Sequence, residues 1–260
     1  SVLTGANLAN RDLLYLGVSG DGDSASIGLG QFANAMRRGV RMAYIVENNG
    51  VYGLTKGQFS ATADRGSRSK KGVTNNDSPV DLVGLALQLG ATYVARSFSG
   101  DKEQLVPLIK GALGHGGAAF IDVISPCVTF NNHAGSTKSY DYVRQHNEAV
   151  SRIDFMPLHS EITAQYAPGE VIDVQQHDGS TLRLRKLHED YDPTDRYAAL
   201  SYMNAHHARG EVVTGLLYLD PVATDLHLSL NTSDTPLNAL GVAQLCPGAK
   251  ALEKINASLR

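Results

Sequence analysis

Short apolar runs alternate with segments of helical spacing along the first half of the chain. The runs that predict buried strands are 13–18, 42–46, 93–96 and 118–124. The segments that predict helices are 25–38, 80–89 and 101–113. Strands that alternate with helices in this way are joined by right-handed crossovers and run parallel. The pattern therefore predicts an α/β fold, with a mostly parallel sheet flanked by helices.

The pattern changes after about residue 150. Segments 171–176 and 181–186 alternate around a His-Asp-Gly-Ser turn, which predicts a β-hairpin that we expect to be a surface or interface element. A helix ending near His207, a strand over 212–219 and an irregular tail with a short closing helix follow. We expect an α/β domain over 1–150 and a C-terminal extension over 151–260. That extension packs on the domain or on a partner subunit.

The first predicted strand ends in a turn that combines glycines with acids, Ser19-Gly20-Asp21-Gly22-Asp23-Ser24. Glycines let the backbone turn sharply and approach a ligand, and the start of the following helix favours an anion. Two aspartates in the same turn would repel a diphosphate. A divalent cation resolves this conflict, because Mg²⁺ takes carboxylate, amide and phosphate oxygens together. The turn therefore predicts a metal-bridged diphosphate site.

The second predicted strand ends in a turn rich in neutral oxygen ligands, Asn48-Asn49-Gly50-Val51-Tyr52-Gly53. In parallel sheets, ligands bind at the carboxyl ends of the strands. Two neighbouring strand ends thus supply a carboxylate, an amide oxygen and a backbone carbonyl for one cation. The polar, basic stretch 52–76 that follows is long for a connector, so we expect a functional loop or partial disorder.

Two other interpretations of these turns stay open. Residues 20–25 also fit the G-x-G-x-x-A pattern of a dinucleotide-binding Rossmann fold, with Glu47 as the ribose-binding acid. The two aspartates suit that pattern poorly, because pyrophosphate binds there without a metal, and the asparagines stay unexplained. The third interpretation is a glycine-rich turn with capping aspartates and no ligand.

Composition excludes several classes of function. The chain has 260 residues, 42% hydrophobic and 19% charged, with a net charge of -3, which gives no reason to expect nucleic acid or an anionic membrane as partner. No apolar run reaches the roughly 18 residues of a transmembrane helix, and no signal peptide is predicted. Cys127 and Cys246 lie far apart, which favours a reducing, cytoplasmic setting; we expect Cys246 to be buried.

The spacing of Gly-Asp-Gly and Asn-Asn resembles the thiamine diphosphate motif of transketolases, decarboxylases and 2-oxoacid oxidoreductases. The runs NNGVYGLTKGQ at 48–58 and SPCVTFNN at 125–132 resemble the β subunit of 2-oxoacid:ferredoxin oxidoreductases, most closely the branch that uses 2-oxoglutarate. The resemblance covers roughly the first 150 residues strongly. It implies a thiamine diphosphate fold that works with an α subunit, coenzyme A, ferredoxin and a 2-oxoacid.

The resemblance also implies roles for individual residues. The Mg²⁺ ligands would be the Asp21 carboxylate, the Asn49 side chain and the Val51 carbonyl. The diphosphate contacts would come from Gly22, Asp23, Gly53 and Leu54. Cys127 would be the last of four thiolate ligands of a [4Fe–4S] cluster.

The chain departs from the family pattern at its N-terminus. The other three cluster cysteines and a cofactor-contacting histidine lie upstream in the family, and one thiolate cannot hold a cluster. The chain begins at Ser1 without an initiator Met. We therefore expect a truncated N-terminus. The glutamate that activates the thiazolium is expected on the α subunit.

The implied reaction is the oxidative decarboxylation of a 2-oxoacid, in which coenzyme A takes the acyl group and ferredoxin takes the electrons. The reverse reductive carboxylation, which fixes carbon, is open to the same machinery. A pyruvate-specific or broad-range enzyme and a non-catalytic subunit are the alternatives within the family.

Lys56 is the candidate for substrate choice, because its charge suits the distal carboxylate of 2-oxoglutarate and Leu54 would shape the same pocket. A solvated loop lysine is the alternative. The basic run 65–71 is suited to steering an acidic ferredoxin or binding coenzyme A phosphates, or is a solvated loop. His206 and His207 are expected to cap a helix.

Overall fold

The computed structural model describes residues 1–53, 57–67, 72–125, 162–175, 181–246 and 248–259. These residues form a seven-stranded sheet with helices on both faces and a separate two-stranded hairpin. No helix in these ranges combines the length and apolar character that crossing a membrane requires. The Leu54, Lys56 and Cys127 assignments lie outside the described residues, as does 68–71 of the basic run.

The strands are β1 Leu16–Gly20, β2 Met42–Asn48, β3 Val51–Tyr52, β4 Gln58–Phe59, β5 Tyr93–Phe98, β6 Ala118–Ile124, β7 Val171–Gln175, β8 Thr181–Lys186 and β9 Val212–Leu219. The helices are α1 Val2–Ala9, α2 Leu29–Arg37, α3 Leu82–Gln88, α4 Lys102–Gly114, α5 Arg196–His207, α6 Leu226–Leu230, α7 Val242–Leu245 and α8 Gly248–Ser258. A π-helical turn, Gly22–Ile27, precedes α2, and a 3₁₀ turn, Leu237–Ala239, precedes α7.

The main sheet has the order β1-β2-β6-β5-β9-β8-β7. Strands β1, β2, β6 and β5 are mutually parallel. Strand β9 runs antiparallel to β5 and parallel to β8, and β7 closes the sheet antiparallel to β8. The expected α/β fold with a mostly parallel sheet and a hairpin in its C-terminal part is confirmed.

The two faces of the sheet carry separate cores, because successive side chains of a strand point to opposite faces. On one face, Phe32 of α2 and Leu87 of α3 pack with Val46 and Phe120 of the strands. On the other face, Leu108 and Ala112 of α4 pack on β2, β5 and β6. Strands buried on both faces are apolar almost throughout, which is why the predicted run 118–124 matches β6.

The turn of the C-terminal hairpin, expected to be a surface or interface element, lies outside the described residues, and its strands are half-buried at the edge of the main sheet. Val174 of β7 and Leu184 of β8 are buried against Phe98 of β5 in a third apolar cluster. The hairpin also joins the main sheet through the pairing of β8 with β9. The alternation in its sequence reflects a half-buried sheet, which periodicity alone does not distinguish from an exposed ribbon.

Strand β1 corrects the expectation of a fully buried first strand. It begins at Leu16 instead of residue 13, and Leu16 and Val18 are 48% and 58% exposed. β1 lies at the edge of the sheet and pairs only with β2. Its outer face therefore stays open although its residues are apolar.

Two further expectations are wrong. The predicted helix 25–38 is divided into the π-helical turn Gly22–Ile27 and helix α2, with Gly28 between them. π-helical turns occur as single-turn insertions and are frequent at functional sites. Cys246 is exposed and not buried, because the segment that carries it does not pack on a core.

Strand register places the ends of four strands at one edge of the sheet. Gly20 of β1 pairs with Glu47 of β2, and Asn48 pairs with Ile124 of β6, which pairs with Phe98 of β5. The glycine–aspartate turn follows β1, and the Asn-Asn turn lies at the end of β2. They are therefore neighbours, as the sequence predicts.

Candidate functional site

Asp21 lies where the two turns meet. It follows β1 directly, and only 1% of its surface is exposed. Its Oδ2 accepts a hydrogen bond from the Gly50 N–H at 3.1 Å, and the Asn49 N–H lies 3.4 Å from its Oδ1. The structure thus joins the two turns that are 28 residues apart in sequence.

Two hydroxyl groups complete the surroundings of Asp21, and sequence reasoning missed both. The Ser60 hydroxyl donates to Asp21 Oδ2, and Thr62 Oγ1 lies 2.5 Å from the same oxygen. Both residues come from the stretch 52–76, which therefore reaches Asp21 where the structure describes it. The only signal in the sequence is a pair of hydroxyl residues, since no spacing rule connects them to a turn about 40 positions upstream.

The donors around Asp21 leave its two oxygens unequal. Oδ2 faces one backbone N–H and two hydroxyls, whereas Oδ1 faces one long contact. A carboxylate oxygen accepts about two hydrogen bonds, so Oδ1 keeps capacity for another ligand. Among the described residues, no Arg, Lys or His forms an ion pair with Asp21.

Neutral donors surround Asp21, and among the described residues no cationic side chain pairs with it. Burying a charged group costs several kcal/mol, and each hydrogen bond to a charged group contributes about 1.5–3 kcal/mol. The neutral donors therefore offset much of the cost of burying a carboxylate here. Such a site is suited to a divalent cation.

The other expected ligands of the cation lie in the adjacent turn. The Asn49 Oδ1 accepts from the Val51 N–H at 3.0 Å, which fixes this side chain in a local turn and, among the described residues, leaves its second lone pair without a hydrogen bond. In the described part of the chain, no three His, Cys, Asp or Glu side chains are grouped to hold a metal. A cation at Asp21 would thus need the neutral oxygens of Asn49 and Val51, and the residues present fit Mg²⁺.

Gly22 and Asp23 occupy different environments. A Cβ at Gly22 would lie 2.4 Å from a ring carbon of Tyr52, whose hydroxyl donates to the Gly22 carbonyl at 2.9 Å. Gly22 is therefore required by packing as well as by any ligand. Asp23 is exposed and stands at the start of the π-helical turn, and Gly53 is half-buried beyond β3.

A second carboxylate, Asp122 of β6, lies below the turns and is fully paired. Arg96 Nε donates to Asp122 Oδ2 at 2.8 Å, and Asn48 Nδ2 donates to Asp122 Oδ1 at 3.0 Å. Arg96 also contacts Asp81, the N-cap of α3, at 3.0 Å. Burial alone would lower the pKa of Arg96, but Asp122 and Asp81 outweigh it and raise the pKa.

A third polar cluster lies far from the turns, where α5 meets β8 and β9. Glu211 accepts from Arg185 Nε at 2.5 Å and contacts His206 Nδ1 at 2.6 Å. The hydrogen bond from Arg185, followed by that from His206, lowers the pKa of Glu211 to about 2. The expectation that His206 caps a helix is thus refined, because its ring pairs with a carboxylate beyond the helix end.

Comparison with known proteins agrees with this geometry. Residues 1–123 match the family described as thiamine pyrophosphate enzyme, C-terminal TPP binding domain. A 2-oxoacid:ferredoxin oxidoreductase subunit beta from Sulfolobus sp is 41% identical over 155 residues, which cover 59% of this chain and 48% of the relative. The 2-oxoglutarate synthase subunit KorB of Methanocaldococcus jannaschii is 31% identical over 178 residues, which cover 66% of each.

The chain is similar to the β subunits of 2-oxoacid:ferredoxin oxidoreductases. A solved relative, a 2-oxoglutarate:ferredoxin oxidoreductase from Magnetococcus marinus with 2-oxoglutarate, coenzyme A and succinyl-CoA bound, has a similar fold with a TM-score of 0.64. It is 30% identical, and the match covers 88% of this chain and 65% of that one. The chain spans between 41% and 48% of the length of three curated β subunits that it matches.

Proposed function

We propose that this β-subunit chain binds thiamine diphosphate through Mg²⁺ and serves the CoA-dependent oxidative decarboxylation of a 2-oxoacid, or its reverse. The observation that carries the proposal is Asp21, a buried carboxylate with neutral donors, whose Oδ1 accepts one long hydrogen bond, from the Asn49 N–H, among the described residues. The relatives support the reaction class, because they are named as 2-oxoacid and 2-oxoglutarate oxidoreductases.

The residues of the two turns divide the work of binding. Asp21 Oδ1, the Asn49 side chain and the Val51 carbonyl would hold Mg²⁺, and Gly22, Asp23, Gly53 and Leu54 would contact the diphosphate. Bound thiamine diphosphate supplies a nucleophilic carbon and accepts the electrons released as CO₂ leaves. The chain's own residues hold the diphosphate end, so the reacting ring is placed by the rigid ends of β1 and β2.

Electron transfer requires further groups. We propose that Cys127 contributes one thiolate to a [4Fe–4S] cluster and that ferredoxin takes the electrons. The name "subunit beta" of the relatives supports an α subunit as partner. We also place the protein in the cytoplasm, where widely spaced cysteines stay reduced. A boundary near residue 150 would separate the cofactor domain from the C-terminal extension.

The proposed substrate is 2-oxoglutarate, and Lys56 is the residue proposed to select it, with Leu54 beside it. The neighbour with bound 2-oxoglutarate supports this choice over pyruvate. A charge-assisted contact to the distal carboxylate is worth about 1.5–3 kcal/mol, or roughly 10- to 150-fold. In Lys56→Ala, kcat/KM for 2-oxoglutarate should fall by that factor while the value for pyruvate changes little. An equal loss for both substrates would refute this role.

Calorimetry tests the cofactor assignment. Thiamine diphosphate is titrated into the full protein, assembled with its α subunit, with Mg²⁺ and with a chelator in its place. Binding that requires Mg²⁺ supports the proposal, and turnover of 2-oxoglutarate with coenzyme A and ferredoxin supports the reaction. Metal-independent binding of NAD without thiamine diphosphate would instead show a nucleotide-dependent Rossmann enzyme.

A further inference from the structure

A continuous row of side-chain contacts runs from the middle of the sheet to Asp21. Arg96 donates to Asp122, Asn48 donates to the other oxygen of Asp122, and Thr62 Oγ1 lies 3.0 Å from the Asn48 Oδ1. The same Thr62 oxygen lies 2.5 Å from Asp21 Oδ2. We call Arg96, Asp122, Asn48 and Thr62 the polar row.

The register of the sheet fixes the first three members of the polar row. Arg96 and Asp122 stand directly opposite each other on β5 and β6. Asn48 pairs with Ile124, so it is the diagonal neighbour of Asp122 on the same face. That face is the one covered by α2 and α3, and Asp122 is 1% exposed. Arg96, Asp122 and Asn48 therefore lie on strands, and Thr62 is the member of the polar row that lies in the loop.

Charge determines the orientation of the Asn48 amide. An ionised carboxylate paired with arginine only accepts hydrogen bonds, so Asn48 must present its NH₂ group to Asp122. Its oxygen is then left for the Thr62 hydroxyl. The opposite orientation would place two oxygens 3.0 Å apart with no proton between them.

The Thr62 hydroxyl links this oriented amide to Asp21. It lies between two acceptors, Asn48 Oδ1 and Asp21 Oδ2, and its single proton is donated to one of them at a time, with the Ser60 hydroxyl 2.9 Å away. Ser60 donates to the same Asp21 oxygen. Asp21 Oδ2 is thereby held on the side of the polar row, while among the described residues Oδ1 accepts one long hydrogen bond, from the Asn49 N–H.

We propose that the polar row consists of positioning residues that hold Asp21 with Oδ1 available to the cation of the cofactor, an inference that rests on the function proposed above. The two asparagines of the turn then have different roles. Asn49 would bind the cation. Asn48 would instead hydrogen-bond Asp122 and Thr62 and so fix the position of the Thr62 hydroxyl.

The test measures Mg²⁺ affinity directly, by calorimetry on the assembled protein with saturating thiamine diphosphate. Thr62→Val removes the hydroxyl at nearly constant volume, and Thr62→Ser restores it. Asp122→Asn alters the row at its buried end. Ser26→Ala is the matched control, because the Ser26 hydroxyl accepts from the Ala61 N–H of the same loop at 3.0 Å without contacting Asp21.

We expect Thr62→Val and Asp122→Asn each to weaken Mg²⁺ binding about 10- to 100-fold, as loss of a group that orients a metal ligand does. The double variant should lose less than the product of the two factors, because both act through one row. Thr62→Ser should bind nearly as the wild type does, and Ser26→Ala should be unchanged.

Two results would overturn the proposal in distinguishable ways. If the wild type requires Mg²⁺ but Thr62→Val binds it equally well, or no worse than Ser26→Ala, the polar row has no positioning role and the proposed function stands. If the wild type binds thiamine diphosphate without Mg²⁺, both proposals fail together. Should Asp122→Asn not fold, the comparison of Thr62→Val with Thr62→Ser decides alone.

Discussion

Asp21 and Glu211 are both largely enclosed carboxylates, but their partners differ in kind. Asp21 is surrounded by backbone N–H groups and hydroxyls and, among the described residues, has no ion pair. Glu211, whose side chain is 12% exposed, is paired with the Arg185 guanidinium and the His206 ring. One acid is solvated by neutral groups, and the other is matched by positive charge.

The difference separates a binding site from a structural joint. A carboxylate with a cationic neighbour has its charge satisfied within the fold and ties two elements together, here β8 and the end of α5. A carboxylate held only by neutral donors keeps an unsatisfied charge that a metal ion can complete. Partner chemistry is thus more informative about function than burial.

Replacing Asp21 gives the largest expected effect. Asp21→Asn should weaken the binding of thiamine diphosphate with Mg²⁺ by at least about 100-fold, because a charged metal ligand is lost. The thermal stability of the cofactor-free protein should change little, because the removal of a buried charge offsets the loss of its hydrogen bonds. Calorimetry and thermal melts measure the two quantities. A marked loss of stability would place Asp21 with Glu211 as a structural acid.

Replacing Glu211 should give the opposite pattern. Glu211→Gln should lower the free energy of unfolding by about 2 kcal/mol, since charged hydrogen bonds are lost, and leave cofactor affinity unchanged. Asp173→Asn is the matched control, because its pair with Arg183 is about half exposed and should contribute at most about 1 kcal/mol. Denaturant unfolding measures both. Equal effects of the two variants would contradict the distinction.

The smallest expected effect is a change in the stability contribution of Glu211 at acid pH. Because the pKa of Glu211 is lowered from 4.5 to about 2, its contribution to stability is present above pH 4.5 and is lost as pH falls towards 2. The stability difference between wild type and Glu211→Gln should therefore shrink across that range. Unfolding curves at several pH values test this, and a constant difference would show that Glu211 is not stabilised as an anion.

Much of the fold was predictable because buried parallel strands have a strong signature. The bounds of β6 and β9 match the apolar runs, and the two turns were predicted to meet at one edge. Strand β1 was predicted less well, because an apolar sequence does not show whether a helix covers it. The division of the predicted helix 25–38 also escaped periodicity, since a π-helical turn changes the spacing by one residue.

The candidate site was predictable only in part. Asp21 and Asn49 lie in turns whose residue types alone predict a cation site. Ser60 and Thr62 carry no local signal, because their role arises from tertiary packing of a loop. Arg96 and Asp122 did offer a signal: each is a charged residue at or within a predicted buried strand, where charges must be paired. Asp122, once paired with Arg96, also accepts a hydrogen bond from Asn48.

Any side chain at Gly22 would collide with the ring of Tyr52, which is itself bonded to the Gly22 carbonyl. Selection on folding alone is therefore enough to preserve this glycine in lineages that no longer use the cofactor. Asp21 has no such steric protection, because an asparagine has the same shape. When related genes are sorted into active and decayed copies, the informative position is Asp21, and the neighbouring glycine says little.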